Sequence, residues 1–115
     1  MLYKAIGIMS GSSLDGLDIA YVQFHETGGK WSYDLQHVHC FPYTAEWRHQ
    51  LENAIHLSAL DYQVLHTAYG HFIGQQVNAF IDMYALHHKI DLVASHGHTT
   101  FHVPAKKTTG QIGDG

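Results

Sequence analysis

The fold is decided near the N-terminus by the stretch Met9-Ser10-Gly11-Ser12-Ser13-Leu14-Asp15-Gly16. It separates two runs with strand character, residues 3–9 and 17–24. Its glycines and serines suit a phosphate-binding turn, because glycine adopts positive φ and consecutive backbone N–H groups can surround an anion. Asp15 would add a carboxylate able to hold a magnesium ion through water. The same residue types also form ordinary hairpin loops, so the stretch alone leaves both interpretations open.

Two common nucleotide-binding loops do not describe this stretch. A Walker loop would end in Gly-Lys-Ser/Thr and lead into a helix, and the dinucleotide loop would have the spacing G-x-G-x-x-G. Neither pattern is present in residues 9–16. If the stretch binds a nucleotide, it does so between two antiparallel strands.

Composition describes one globular domain at most, with 115 residues of which 45% are hydrophobic. The formal net charge of −4 and the scattered Lys and Arg argue against a nucleic-acid partner. The single Cys40 cannot form an internal disulfide and suits a reducing cytoplasm. No apolar run approaches the roughly 20 residues that span a bilayer. No signal-peptide pattern precedes the first strand, so we expect a cytoplasmic protein without a membrane partner.

Alternation of apolar and polar residues predicts three antiparallel strands, at residues 3–9, 17–24 and 31–41. Gly7 inside the first strand indicates close approach of another backbone or of a ligand. The third strand is expected to place its alternate residues on one face, namely Trp31, Tyr33, Leu35, His37, His39 and Phe41.

Helical spacing follows. Thr44 is expected to cap a first helix, and Ser58 a longer second helix through a capping box with Asp61. The core-facing side of the second helix is predicted to comprise Tyr62, Leu65, Tyr69, Phe72, Ile73, Gln76, Val77, Phe80, Ile81 and Tyr84. A short strand at residues 91–97 follows this helix, which suggests a crossover to a parallel position. The predicted class is α/β, in the order β-β-β-α-α-β, with ligands beyond the carboxyl end of the last strand near Gly97.

Twelve histidines raise a metal hypothesis. The strongest set is His96, His98 and His102, with His87 and His88 nearby, because an H-x-H pair on a strand puts both rings on one face. No Asp, Glu or Cys close in sequence completes a coordination shell. We therefore assign no metal ligands and interpret His96 as a residue of a substrate cleft. A small histidine-based metal-binding module stays as the alternative function.

Three segments resemble the N-terminal part of the anhydro-N-acetylmuramic acid kinases. Residues 7–18 resemble the family signature G-x-M-S-G-T-S-x-D-G-x-D, residues 95–104 resemble H-G-Q-T-x-x-H-x-P, and residues 111–114 resemble Q-I-G-D. Their order and spacing agree with the family across essentially the whole chain. Ser12 replaces a usual Thr and keeps the hydroxyl, whereas His98 replaces Gln and exchanges an amide for an imidazole.

The resemblance implies an ASKHA fold, the class of actin, sugar kinases and Hsp70, which is ribonuclease H-like. Residues 1–115 would form a partial N-terminal ATPase-like lobe, with three antiparallel strands, then helices and a parallel strand. The second lobe would be absent from this chain. The implied reaction uses ATP, Mg²⁺ and water to convert 1,6-anhydro-N-acetylmuramic acid to N-acetylmuramic acid 6-phosphate and ADP.

The resemblance also implies site residues. The segment that binds the ATP phosphates would comprise Gly11, Ser12, Ser13, Leu14, Asp15, Gly16, Leu17 and Asp18. The sugar side of the cleft would comprise His96, Gly97, His98 and Thr99. The aspartate that activates water is expected beyond Gly115, so the chain alone should be nearly inactive. The parent is expected to be a homodimer of the bacterial cytoplasm that acts in peptidoglycan recycling. As a fragment, the chain would leave sheet edges bare for pairing with another chain.

Overall fold

The computed structural model describes residues 1–11 and 14–113, with backbone only at residues 101–104 and 108. The elements are β1 (Leu2–Ser10), β2 (Gly16–Thr27), β3 (Lys30–Pro42), α1 (Ala45–Glu52), α2 (Ala59–Met83), β4 (Leu92–Ser95), β5 (His98–Val103) and β6 (Thr108–Ile112). Short 3₁₀ turns lie at Ala54–His56 and Pro104–Lys106. The predicted α/β order is confirmed as far as β4. The β5–β6 hairpin that follows was not predicted as a unit.

The main sheet has four strands in the order β3-β2-β1-β4. β1 and β2 are antiparallel, from the pair Leu2–His25 to the pair Ser10–Leu17. β4 runs parallel to β1, with Ile8 opposite Ser95. The predicted crossover is therefore confirmed, because α2 returns the chain to the edge of β1. As a result, the end of β1 and the end of β4 lie at the same edge of the sheet.

Helix α2 packs on one face of this sheet and forms the core. The strand side chains that it covers are Ile6, Ile8, Leu17, Ile19 and Tyr21, each at most 6% exposed. The fully or nearly buried helix residues are Leu65, Tyr69, Ile73 and Phe80. These four belong to the face that helical spacing predicted, so that prediction is confirmed.

Both helices begin where their capping residues predicted. The Thr44 hydroxyl accepts a hydrogen bond from the Trp47 N–H at 3.2 Å. The Ser58 hydroxyl accepts one from the Asp61 N–H at 3.1 Å. Each cap satisfies a backbone donor that has no partner inside its helix. Among the residues that the structure describes, no helix is apolar over enough of its length to cross a bilayer.

The prediction that one face of β3 carries all its alternate residues is wrong. His37 lies opposite Tyr21 whereas Leu35 lies opposite Val22, so Gln36 is an extra residue in the ladder. Such a bulge reverses the alternation. Trp31, Tyr33 and Leu35 therefore face away from α2, whereas His37, His39 and Phe41 face toward it.

Two strand glycines have opposite surroundings. A Cβ built on Gly16 would meet the Phe41 carbonyl oxygen at 2.6 Å and the Cys40 Sγ at 2.7 Å. A Cβ built on Gly7 would meet nothing within 4 Å. Close approach of a backbone therefore occurs at Gly16. At Gly7 the sequence predicted close approach of another backbone or of a ligand. No described residue beyond its chain neighbours lies within 4 Å of the Cβ position there, and the ligand alternative stays a prediction.

Candidate functional site

The candidate site is built around the connection from β1 to β2, residues 10–16, called here the 10–16 loop. Gly11 and Asp15 are exposed, and the Leu14 N–H donates to the Gly11 carbonyl at 3.3 Å. Leu14 adopts a φ of 59°, a left-handed conformation that is uncommon for a leucine. Ser12 and Ser13 lie outside the described residues.

Two residues that follow β3 in the chain donate hydrogen bonds to backbone carbonyls of the loop. The backbone N–H of Tyr43 donates to the Asp15 carbonyl at 3.2 Å. The Nε–H of Arg48, on α1, donates to the Leu14 carbonyl at 3.3 Å. Together with the contact of Gly16 beneath Phe41, these bonds fix the second half of the loop. They also place a guanidinium beside it, a cation suited to phosphate oxygens.

Two carboxylates and a thiol lie at the end of the loop. Asp15 and Asp18 are exposed, and the negative charges of both affect the pKa of the exposed Cys40. Partial burial raises the pKa of the Cys40 thiol, and hydrogen bonding to Asp18 and the negative charges of both aspartates raise it further. Cys40 is therefore a protonated thiol near neutral pH and not a nucleophile. The carboxylates offer the oxygen ligands that Mg²⁺ prefers.

A hollow of about 440 Å³ opens beside the ends of β1 and β4, on the face away from α2. Its lining includes Gly7, Asp18 and His96. His96 is exposed, and its backbone N–H donates to the Ile8 carbonyl at 3.2 Å. Because Gly7 has no side chain, the floor of the hollow stays open. One residue expected at the phosphates, Asp18, and one expected at the sugar, His96, thus line the same hollow.

The other residues expected at the sugar are less open. Gly97 is buried at a φ of 73°, and its N–H donates to the Ser95 hydroxyl at 3.2 Å. The Thr99 hydroxyl accepts from the Gln111 side-chain amide at 3.1 Å. His98 is only 4% exposed. Of the four, His96 presents the largest free surface to a ligand.

Behind the loop lies a cluster of four buried polar side chains, Ser10, Tyr43, Tyr69 and His98, called here the buried tetrad. The Ser10 hydroxyl lies 2.5 Å from the Tyr43 hydroxyl and 2.9 Å from the His98 Nδ1. The Tyr43 hydroxyl lies 2.6 Å from that of Tyr69. None of the four is more than 7% exposed. The tetrad joins the end of β1, the segment after β3, the middle of α2 and the start of β5.

Burial controls the ionisation of the tetrad. It lowers the pKa of His98 and raises the pKa of Tyr43 and, more strongly, of Tyr69. For Tyr43 the hydrogen bonds from Ser10 and Tyr69 act in the opposite direction but are the smaller effect. All four side chains are therefore neutral at physiological pH. This matches the general rule that burial disfavours the charged form.

The metal hypothesis gains no support from the described residues. His96 is exposed at the sheet edge, whereas the His98 Nδ1 is committed to Ser10. In the part of the chain that the structure describes, no three His, Cys, Asp or Glu side chains come close enough to share an ion. The side chain of His102 lies outside that part.

Sequence reasoning missed two residues of this site, Tyr43 and Arg48, and the hydrogen bond made by a third, Tyr69. Tyr69 was predicted as core, correctly, but its hydroxyl partner Tyr43 lies 26 residues away, too far for any periodic pattern. Tyr43 and Arg48 belong to a segment interpreted only as a strand end and a helix. The available signal for Tyr43 was its position directly after Pro42, at the end of the strand that covers Gly16.

Comparisons with known proteins identify the family to which the chain is similar. A family model described as anhydro-N-acetylmuramic acid kinase matches residues 3–115. A protein of that name from Rhizobium johnstonii is 34% identical over 127 residues, covering 100% of this chain and 33% of the relative. Another from Rhodopseudomonas palustris is 37% identical, covering 99% of this chain and 33% of the relative. The chain thus spans about a third of the length of these curated relatives.

Proposed function

Because the chain belongs to the anhydro-N-acetylmuramic acid kinase family, we propose that residues 1–115 form the N-terminal, ATPase-like lobe of an ATP-dependent sugar kinase. The mixed four-stranded sheet with α2 on one face supports an ASKHA lobe. The rest of the cleft, including the base that activates water, would come from residues outside this lobe. The chain's share of its relatives' length agrees with this division.

The proposed reaction couples two events at one sugar. The γ-phosphoryl group of ATP passes to O6 of 1,6-anhydro-N-acetylmuramic acid while water adds at C1 and the C1–O6 bond breaks. The products are N-acetylmuramic acid 6-phosphate and ADP. Phosphoryl transfer depends mainly on positioning and on stabilising charge, so the residues that hold the phosphates contribute most of what this lobe provides.

In this proposal the 10–16 loop, continued by Leu17 and Asp18, binds the phosphates of ATP. Gly11 is exposed and leaves its backbone accessible to an anion. The fixed end of the loop, held by Tyr43 and Arg48, lowers the cost of ordering it around a ligand. Ser12 and Ser13 would add hydroxyl donors, as the family signature suggests.

The residue set fits a magnesium–nucleotide complex. Asp15 and Asp18 would hold the ion, since both carboxylates are exposed at the loop and neither has a cationic partner among the described ion pairs. When bound, Mg²⁺ would neutralise charge on the phosphates. Arg48 would add a second positive charge beside the loop.

On the sugar side, His96 is the residue that we expect to contact substrate. It lines the hollow that also contains Asp18, at the carboxyl ends of the parallel strands β1 and β4. This shared edge is the single observation that carries the proposal, because ligands of open α/β sheets bind there. The remaining proposals follow from the family resemblance: a cytoplasmic homodimer that acts in bacterial cell-wall recycling.

The test is an assay of the complete gene product with Mg·ATP and the anhydro sugar. Mass spectrometry should find a product heavier than the substrate by a phosphoryl group plus one water. A product that keeps its anhydro bridge, or a folded protein without turnover, would overturn the proposal. A reaction lacking the sugar controls for simple ATP hydrolysis.

A substitution pair sharpens this test. Asp15→Asn should lower kcat/KM for Mg·ATP about tenfold or more, the scale expected when a charged positioning group is lost. Asp34→Asn is the matched control, because Asp34 is exposed on β3 and its carboxylate accepts a hydrogen bond from the Gln36 side-chain amide, away from the 10–16 loop. Equal kinetics for the two variants would remove Asp15 from the proposed site.

A further inference from the structure

The buried tetrad has a direct connection to the 10–16 loop. Ser10 is the last residue of β1 and Gly11 follows it in the loop. Tyr43 contacts both ends of the loop, through its hydroxyl to Ser10 at 2.5 Å and through its backbone N–H to Asp15 at 3.2 Å. Tyr43 therefore connects the first residue of the loop to the residue near its end.

The tetrad also reaches the second candidate segment. His98 begins β5, directly after Gly97, and its Nδ1 lies 2.9 Å from the Ser10 hydroxyl. This contact joins residues 88 positions apart and ties the loop to the segment expected at the sugar. Tyr69 anchors the same contacts to the middle of α2 and packs edge-on against the His98 ring.

The hydrogen bonds have a preferred order. A neutral imidazole whose Nδ1 lacks a proton accepts from Ser10. Ser10 then accepts from Tyr43, and Tyr43 from Tyr69, so every hydroxyl proton has an acceptor. A doubly protonated ring must instead donate from Nδ1 to Ser10. One hydroxyl proton of the tetrad then has no acceptor: that of Ser10 if the order is kept, or that of Tyr69 if the order reverses.

We propose that Ser10, Tyr43, Tyr69 and His98 are positioning residues, which hold the phosphate-binding loop in register with the sugar-side segment as long as the His98 Nδ1 accepts a hydrogen bond from the Ser10 hydroxyl. This inference rests on the proposed kinase function. Burying polar side chains costs free energy unless all of them are paired. If these four positions served packing alone, apolar side chains would avoid that cost. Their location between the two candidate segments gives them a role in placing ATP against the sugar.

The surroundings of His98 contain few groups that could disturb this order. Among the described side chains, the titratable ones that contact the ring or its partners are Tyr43 and Tyr69, both neutral. The charges of Cys40 and Asp18 also raise the pKa of Tyr43 and so favour its neutral form. His66, one turn before Tyr69 on α2, accepts from the Gly113 N–H through its Nδ1. Asp15 and Asp18 lie on the loop side and are exposed. Burial alone lowers the pKa of His98.

The experiment compares tyrosine variants in the complete gene product. Tyr43→Phe removes one hydroxyl from the tetrad and keeps the ring. Tyr62→Phe is the control, since its hydroxyl bonds to Thr100 at 2.6 Å and also links α2 to β5, outside the tetrad. We expect Tyr43→Phe to lower kcat/KM for Mg·ATP about tenfold, with Tyr62→Phe within about twofold of wild type. Ser10→Ala should act like Tyr43→Phe.

A second readout separates positioning from simple packing. His98→Gln supplies an amide oxygen that accepts from Ser10 but does not titrate. We expect wild-type kcat/KM to decline on acidification and the decline to be smaller in His98→Gln. ¹⁵N NMR of the wild-type imidazole should find His98 protonated at Nε2 and not at Nδ1.

The outcomes distinguish the two proposals. A folded wild type without kinase turnover overturns the proposed function and this inference with it. Active wild type with Tyr43→Phe equal to Tyr62→Phe overturns the inference alone. So does an unchanged pH profile in His98→Gln, or a proton on Nδ1.

Discussion

The two faces of the four-stranded sheet are both apolar, but only one is covered. On the α2 side, Ile6 and Ile19 are fully buried. On the other side the exposed apolar residues are Tyr3, Met9, Phe24, Trp31, Tyr33, Leu35, Val38 and Leu92, between 36% and 74% exposed. Hydrophobicity of the strands therefore does not decide which face is buried. The position of α2 does.

This contrast also separates stability from function. The covered face carries the packing that stabilises the fold and the buried tetrad that supports the loop. The open face carries the hollow with Gly7, Asp18 and His96, where a ligand has access. Exposed apolar area of this extent is typical of a surface that meets another part of a protein or a ligand.

We expect the largest difference in the free energy of unfolding between leucine substitutions on the two faces. Leu17→Ala, at 1% exposure, should lower the free energy of unfolding by about 2–5 kcal/mol, because it leaves a cavity against α2. Leu35→Ala, at 54% exposure, should change it by less than about 0.5 kcal/mol. Urea denaturation of both variants measures this. Equal losses would mean that the second face is covered in solution.

Glycines provide the next comparison. Gly16→Ala should cost about 1–3 kcal/mol, because the new Cβ would overlap the backbone of Phe41. Gly7→Ala has open space and should be neutral or stabilise by up to about 1 kcal/mol, since alanine loses less entropy in a strand. Thermal unfolding of the pair tests this. A destabilising Gly7→Ala would indicate a neighbour at that position.

The pH dependence of the free energy of unfolding should depend on His98, a buried polar residue of the covered face. Burial lowers the pKa of His98, so its neutral form is favoured in the folded chain. Its contribution to stability is fully present above the ordinary histidine pKa of 6.5 and is lost as pH falls through the lower folded pKa. Wild type should therefore lose more stability on acidification than His98→Gln. Identical acid slopes in urea denaturation would contradict this.

The smallest effect is expected on the open face. Trp31→Lys removes a ring that is 62% exposed and stacks on Tyr3 at 5.7 Å between centroids. The cost should stay below about 1 kcal/mol, the scale of an aromatic pair. Sedimentation velocity of the 115-residue chain should show less self-association for the variant than for wild type. A loss as large as that of Leu17→Ala would break the distinction between the faces.

Much of the covered face was predictable from local pattern. Alternation predicted the strand at residues 17–24, whose buried residues are Leu17, Ile19 and Tyr21, and helical spacing identified Leu65, Tyr69, Ile73 and Phe80. The caps at Thr44 and Ser58 set the helix starts. These features depend on neighbours within a few residues, which the sequence displays directly.

What local pattern could not reveal depends on distant residues. The tetrad joins Ser10 to Tyr43 and His98, partners 33 and 88 positions away. Their residue types are compatible with core, loop or strand, so nothing local distinguishes a hydrogen-bonded hydroxyl from an ordinary one. The phosphate role of the loop and the sugar role of His96 remain predictions that the geometry permits.

The extra residue at Gln36 divides β3 into two halves whose alternate side chains face opposite sides of the sheet. Before it, residues 30–35 are all exposed, and most substitutions there should be tolerated. After it, His37 stacks on Tyr84 with 4.2 Å between ring centroids. Removing Gln36 would rotate one half of the strand by a half-turn, which would either drive Trp31, Tyr33 and Leu35 under the helix or expel the histidines. The half of β3 before Gln36 should therefore tolerate substitutions, whereas an insertion or deletion in the strand should not be tolerated.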